Sequence, residues 1–201
     1  MAARPIERIV ALIVLYRKRK LFRMIKNSFC KICSLLKQAP VTGLFLAAVS
    51  ALALAAAFVG QYVFDLQPCA FCIYQRYPFA LAALFGIAAA VSTRYTTRGG
   101  TWLIGGAGLA LLGNSVLALY HSGIERDWWQ GPSSCTTATL HEAENLEDAM
   151  ARIESAPVVP CDEIPWADPV LGLSMANWNV ALCAGLALLA FASVWLRQRS
   201  S

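Results

Sequence analysis

Two pairs of cysteines carry the chemistry that this sequence can do. The run Pro68-Cys69-Ala70-Phe71-Cys72-Ile73-Tyr74-Gln75-Arg76 sets two thiols three residues apart, with an arginine four residues after the second, at the mouth of a long apolar stretch. A second pair, Cys135 and Cys161, lies in the one long polar segment. The thiolate is the reactive form of cysteine, and a nearby cation lowers a thiol's pKa. If a helix starts near Cys72, Arg76 shares its face at i+4. It would then hold Cys72 as a thiolate and stabilise charge developing on an electron acceptor. The blander reading is an arginine snorkelling to the membrane edge. A disulfide across the loop would stabilise an ordered fold by about 3–4 kcal/mol, and about 1.4 kcal/mol corresponds to 30 mV of reduction potential. A staple gains from that and an oxidant does not, so Cys135–Cys161 reads as structural if its loop is rigid and as catalytic if it is mobile. Beside the first pair, the catalytic reading is favoured.

The elements that hold these residues are set by hydropathy. Of 201 residues, 58% are hydrophobic and 14% charged, far from the usual soluble balance. A bilayer core takes about 20 apolar residues to cross, and four stretches reach that length: Val41–Phe64, Ile73–Ser92, Thr101–Tyr120 and Ser174–Leu196. The fold class expected is an all-α membrane protein, a four-transmembrane-helix bundle. Residues 1–40 hold ten of the 17 Lys and Arg, while ten of the 12 acidic residues fall between Glu125 and Asp168. The positive-inside rule then puts both termini in the cytoplasm and the acidic loop outside. The basic tail suits anionic lipid, and no nucleic-acid partner is expected. Ile9–Tyr16 is too short to span; the tail reads as an interfacial segment, a weak signal peptide without a cleavage site, or an extension ahead of a start at Met24.

The division expected is a basic N-terminal tail (1–40), a transmembrane domain (41–196) that includes an outer redox loop (121–173), and a short C-terminal tail (197–201). Glycines 105, 106, 108 and 113 suit close helix contact in lipid. No strand precedes them, so they are not a nucleotide-binding loop. Within the outer loop Thr139–Glu154 has helical periodicity, either on the membrane surface or in water. Trp128, Trp129, Trp166 and Trp178 fit an aromatic belt. Cys30 and Cys33 cannot share a metal with Cys69 and Cys72, because a 20-residue helix holds the pairs about 30 Å apart. They read as bystander thiols, with a redox sensor or metal clip as the alternative. Cys183, inside the fourth span, reads as a small packing residue. No metal site is expected.

The Pro-Cys-x-x-Cys-x-x-Gln/Glu-Arg pattern at the start of a second span resembles the signature of the DsbB family, the bacterial disulfide bond formation proteins. Cys161-Asp162-Glu163-Ile164-Pro165-Trp166, followed by Gly172-Leu173-Ser174-Met175-Ala176-Asn177-Trp178, resembles that family's entry into its fourth span. The separation of Cys135 from Cys161 is also similar. The stretch from Trp166 to Gly172 is longer than the pattern. The resemblance covers about residues 41–196 and implies a thiol:quinone oxidoreductase of the bacterial inner membrane, with ubiquinone or menaquinone as cofactor. It implies that Cys69 and Cys72 are the quinone-coupled pair, that Cys72 contacts the quinone, and that Arg76 holds it, with His121 nearby. It further implies that a periplasmic thioredoxin-fold thiol oxidase (DsbA-like) attacks Cys135, that Cys161 resolves the mixed disulfide, and that electrons pass inward through a Cys69–Cys135 bridge. The rival readings are a vitamin-K-epoxide-reductase-like enzyme or reductive thiol relay, and a non-catalytic membrane scaffold whose disulfides are staples.

Overall fold

The computed structural model describes residues 34–92, 97–132 and 159–199, together with Arg17, Arg19, Lys20, Arg23, Met24, Lys31, Cys135, Asn145, Glu147 and Met150 as isolated positions. The region expected as a surface helix (Thr139–Glu154) and the cysteines Cys30 and Cys33 lie outside the described residues, apart from those isolated positions. Five helices are described: α1 Ala39–Val63, α2 Ala70–Tyr74, α3 Arg76–Ser92, α4 Thr97–Glu125 and α5 Met175–Gln198. Segments Ala39–Val63, Ala70–Ser92, Arg98–Glu125 and Met175–Gln198 are each long and apolar enough to cross a bilayer. The chain is a multi-pass membrane protein, all-helical among its described residues apart from one isolated bridge between Ala167 and Ser174.

The helices close a bundle in which α1 packs on α3, α3 on α4 and α4 on α5. Lipid offers no hydrophobic drive between helices, so small residues that let backbones approach must supply the packing. Gly43 of α1 and Gly86 of α3 do this most closely: a Cβ at either would collide with the other's carbonyl oxygen. The α4 glycines behave as expected only in part. Gly106 lies under the Phe85 ring and Gly108 against Ala190 and Phe191, but Gly113 faces open space. The core is correspondingly fine-grained, with Ala82, Ala89, Ala107, Ala187 and Ala190 among its buried members and Leu46, Ile104 and Leu111 as its larger ones. Leucines and aromatics such as Leu84, Leu109 and Trp102 face outward.

At the end remote from the cysteines, α5 is tied to the approach to α1. Ser193 Oγ donates to the Leu36 carbonyl at 2.6 Å, and Arg197 donates to the Lys37 carbonyl and to Thr101 Oγ1, each at 3.0 Å.

Two boundaries differ from the sequence reading. The third span does not stop near Tyr120 but runs to Glu125. No proline interrupts it before Pro132, and its last polar side chains find partners inside the protein rather than in water. The second span is in two pieces, because Gln75 separates α2 from α3. The extra length after Trp166 folds as a tight turn. Asp168 accepts from Leu171 N–H through its side chain and from Gly172 N–H through its carbonyl, both at 2.8 Å. Gly172 takes φ +65°, a conformation that favours glycine.

Candidate functional site

The chain leaves α1 through a turn that aims the first cysteine. Phe64 N–H bonds back to Val59 O and Leu66 N–H to Gly60 O, with Asp65 at φ 52°. Pro68 follows, and Cys69 becomes the N-cap of α2, its sulfur accepting the backbone N–H of Cys72 at 3.4 Å. Cap and i+3 spacing bring the two sulfurs to 3.3 Å. A helix N-terminus favours a negative charge at this position. The hydrogen bond from the Cys72 side chain does most to hold the Cys69 thiol down, to about 4. Burial opposes it, while His121 and the Cys72 backbone N–H reinforce it. The helix cap and His121 thus favour negative charge on Cys69, beside the Cys72 thiolate that the motif alone leads one to expect.

His121, in the last full turns of α4, is buried and fixed on three sides. Its Nε2 lies 3.4 Å from Cys69 Sγ, its Nδ1 3.2 Å from Gln75 Nε2, and its ring stacks on Phe71 at 5.5 Å. One turn on, Glu125 approaches His121 Nε2 at 3.8 Å and accepts a 2.5 Å hydrogen bond from Ser174 Oγ. Ser174 is the N-cap of α5 and forms a capping box with Asn177. The Asn177 amide in turn bonds Ser122, and its oxygen accepts from Arg126 at 2.8 Å. The start of α5 and the end of α4 are thus locked together beside the dithiol. Trp129 folds back over Gly123, stacks on Tyr120 and donates to its carbonyl at 3.0 Å.

Arg76 departs from the expected arrangement. It heads α3 beyond the Gln75 break, and its guanidinium turns towards α1 rather than Cys72. It donates to Gln61 Oε1 at 2.8 Å and lies 4.9 Å over the Phe58 ring. Its Nε is buried with no hydrogen-bond partner, a costly state for a charged donor. Arg76 nevertheless lines the same cavity as Cys69, Cys72 and His121, a space of about 540 Å³ between α1, α3, α5 and the loop. Gln61, Gln75, Glu125 and Asn179 also face it, and the sequence reading singled out none of the four. Gln75 lay inside the quoted motif, and Glu125 stands at i+4 from His121. Gln61 and Asn179 had no local signal.

Cys135 and Cys161 form a disulfide with Cα atoms 5.2 Å apart. The two strands of loop meet there, Cys161 N–H donating to Cys135 O at 2.6 Å and Cys135 N–H to Pro132 O at 2.8 Å. Both cysteines are buried in one cluster with Cys69, Phe71 and Ile124. The structure therefore brings all four candidate cysteines to one end of the bundle, with a dithiol on the helix and a disulfide in the loop.

A membrane-spanning helical bundle carrying a dithiol packed against a loop disulfide defines a membrane-bound disulfide oxidoreductase. The family model for disulfide bond formation protein DsbB matches residues 40–193, and the chain belongs to that family. It is 30% identical to disulfide bond formation protein B of Hahella chejuensis, over 69% of this chain and 80% of that one. It is 33% identical to the protein of the same name from Azoarcus sp. (strain BH72), over 68% and 78%. An uncharacterized protein of Rickettsia prowazekii matches at 25% identity over 71% and 80%. No solved structure matches the chain.

Proposed function

We propose that this protein is a thiol:quinone oxidoreductase of the bacterial inner membrane, which reoxidises a periplasmic DsbA-like dithiol oxidase through Cys135–Cys161 and Cys69/Cys72. The observation that carries the proposal is the gathering of both cysteine pairs in one cluster, with Cys72 packed against buried Cys69, Cys135 and Cys161, beside a cavity that the helix pair and Arg76 help to line. In the sequence of steps, a thiolate of the partner attacks Cys135, a mixed disulfide forms and Cys161 leaves as a thiolate. Resolution by Cys161, as the resemblance implies, would only reverse that step; the productive step is attack by the partner's second thiol on its own half of the mixed disulfide, which expels Cys135 as a thiolate and leaves the loop pair reduced. Exchange between the loop thiols and an oxidised Cys69–Cys72 pair, through a Cys69–Cys135 bridge, regenerates the loop disulfide. It leaves two electrons and two protons on the helix dithiol.

The cavity suits a quinone ring. Its volume falls within the range for small-molecule sites, about 300–1,000 Å³, and its walls are mostly apolar, with Leu54, Ala57 and Phe79 among them. The orphaned Nε of Arg76 supplies a donor with nothing else to bind. Arg76, Gln75 and Cys72 would hold the ring, with His121 behind them. When bound, a quinone accepts the two electrons and two protons that restore the Cys69–Cys72 disulfide. The protein's own part is to keep Cys69 ionised, to keep Cys72 against the cavity, and to present a fixed positive charge there. The charge pattern, basic at 1–40 and acidic in the loop, supports cytoplasmic termini and a periplasmic site.

The test is quinone reduction by purified protein in detergent, driven by a reduced thioredoxin-fold oxidase with a soluble ubiquinone or menaquinone analogue. Turnover should fall to background in Cys72→Ala while that variant stays folded. Failure of the native protein with both quinone classes, or loss of the folded state in the variant, would return the disulfides to a structural role.

A further inference from the structure

Asn114, Cys183, Asn179 and Gln75 are polar groups set into the membrane-spanning part of the bundle, and exchange between cysteine pairs uses none of them. Asn114 and Cys183 are fully buried and Gln75 nearly so. Polar groups at such depth are costly and tend to mark function. Here they form one hydrogen-bonded file that ends on the reactive sulfur. Asn114 Nδ2 donates to Cys183 Sγ at 3.3 Å, and the Cys183 thiol donates to Asn179 Oδ1 at 3.1 Å. That leaves Asn179 Nδ2 to donate to Gln75 Oε1, at 2.5 Å. With its oxygen engaged, Gln75 turns its amide nitrogen to His121 Nδ1, at 3.2 Å.

An amide nitrogen only donates, so Nδ1 must be the bare, accepting nitrogen of the ring. The hydrogen of a neutral imidazole then sits on Nε2, which faces Cys69 Sγ at 3.4 Å. We propose that Asn179 and Gln75 are positioning residues that fix His121 as the Nε2–H tautomer, so that a neutral ring donates a hydrogen bond to the Cys69 thiolate. In thiolate–disulfide exchange Cys69 alternates between attacking a loop sulfur and leaving from it. A donor held in place serves both directions without moving a proton. Cys69, Cys72 and His121 also bring three potential metal-ligand atoms within 4.8 Å of one another. A hydrogen on Nε2 occupies the lone pair a metal needs, so the file favours an anion on Cys69 over a cation between the three.

The inference rests on Cys69 as a reacting thiol but not on the quinone. Its readouts therefore separate its failure from failure of the quinone reaction. The groups facing Cys69 that titrate or carry charge are Cys72 on α2 and His121 and Glu125 on α4, with Arg76 of α3 and Glu163 of the loop on the same cavity. The experiment uses the full chain, reduced and in detergent, with His141→Gln so that one histidine remains. Nitrogen-15 spectra report the tautomer of His121, and ultraviolet absorbance reports the thiolate as pH is varied. The native file should give Nε2–H. Asn179→Asp can only accept, so Gln75 must reverse and the ring hydrogen must move to Nδ1. Loss of that donor lowers the thiolate fraction about tenfold at a given pH on the acid side of the titration. Cys183→Ser, which keeps an O–H donor for Asn179, should leave the tautomer and the titration as in the native file. Should the half-buried aspartate prevent folding, Asn179→Leu removes the donor without charge and should give mixed tautomers with a smaller loss. An Nδ1–H ring in the native protein overturns the proposal, as does an unmoved tautomer and titration in whichever Asn179 variant folds.

Discussion

The two cysteine pairs are mounted in opposite ways, and the contrast is what the proposed relay needs of its two halves. Cys69 and Cys72 sit on a rigid frame. A helix N-cap, a stacked histidine and the lock between α4 and α5 fix them to within hydrogen-bonding distance of their partners. Cys135 and Cys161 hang on a proline-rich loop and are held by each other, by two backbone hydrogen bonds, and by the cluster beneath them. Rigid mounting suits a pair that must keep one acceptor site in register. Loop mounting suits the part proposed for the second pair, which is to meet a large partner and then return to Cys69. The loop disulfide is buried, so the proposed attack by a partner requires that it be drawn outward first.

The sharpest way to break this division is to remove one mount and keep the other. In Cys135→Ala/Cys161→Ala, oxidation of a reduced thioredoxin-fold partner should drop to background, a loss of at least about a thousandfold if the loop pair is the obligatory entry point. A small dithiol that reaches Cys69 directly should still support quinone reduction in the same variant. Stopped-flow assays with both donors on one preparation check this. Loss of both activities would mean that the loop pair also holds the helix pair in shape.

A smaller effect is expected on the acceptor side. Arg76→Ala removes a guanidinium that braces α1 through Gln61 and Phe58 and offers its free Nε to the cavity. A charge-assisted hydrogen bond contributes about 1.5–3 kcal/mol, so KM for a quinone analogue should rise roughly tenfold to a hundredfold by that measure. Oxidation of the partner in a single turnover, which needs only the cysteines, should be unaffected. Arg76→Lys keeps the charge without the fork and should recover only part of the loss.

Much of this was legible in the sequence, and the division between what was and was not follows from range. Hydropathy is local, so the four spans could be read directly, with errors only where polar residues are satisfied inside the protein. His121, Ser122 and Glu125 looked like loop because they are polar, yet their partners are Cys69, Asn177 and Ser174, all remote in the chain. The Cys-x-x-Cys motif is local too, and its N-cap geometry follows from Pro68 and the i+3 spacing. What a single sequence does not encode visibly is the rotational setting of one helix against another. That setting turns Arg76 towards Gln61 instead of Cys72, and brings Asn179 to Gln75. Cys183 was read as a packing residue, and it does pack, but its thiol also bonds two asparagines.

The mildest distinction between the pairs is their response to pH. A disulfide does not titrate, so the loop pair contributes no pH dependence while it is oxidised. Cys69 does, because folding lowers its thiol from an ordinary value of 9.0 to about 4. A group whose pKa is depressed by folding is ionised more readily in the folded state than in the unfolded one. Below pH 9 the unfolded chain therefore binds the proton that the folded protein has released, and stability rises with pH. The contribution is complete above about 9, shrinks steadily as pH falls, and is gone once pH drops through about 4. Thermal unfolding of the protein with Cys69 and Cys72 reduced and the loop disulfide intact should thus show a midpoint that climbs between these limits. The climb is bounded by the release of a single proton from this buried thiol. Cys69→Ser should flatten it, since a hydroxyl does not ionise in this range. Should the slope survive in Cys69→Ser, the titrating group would have to be sought elsewhere around the cavity, and the rigid mount would no longer be distinguished by the anion it holds.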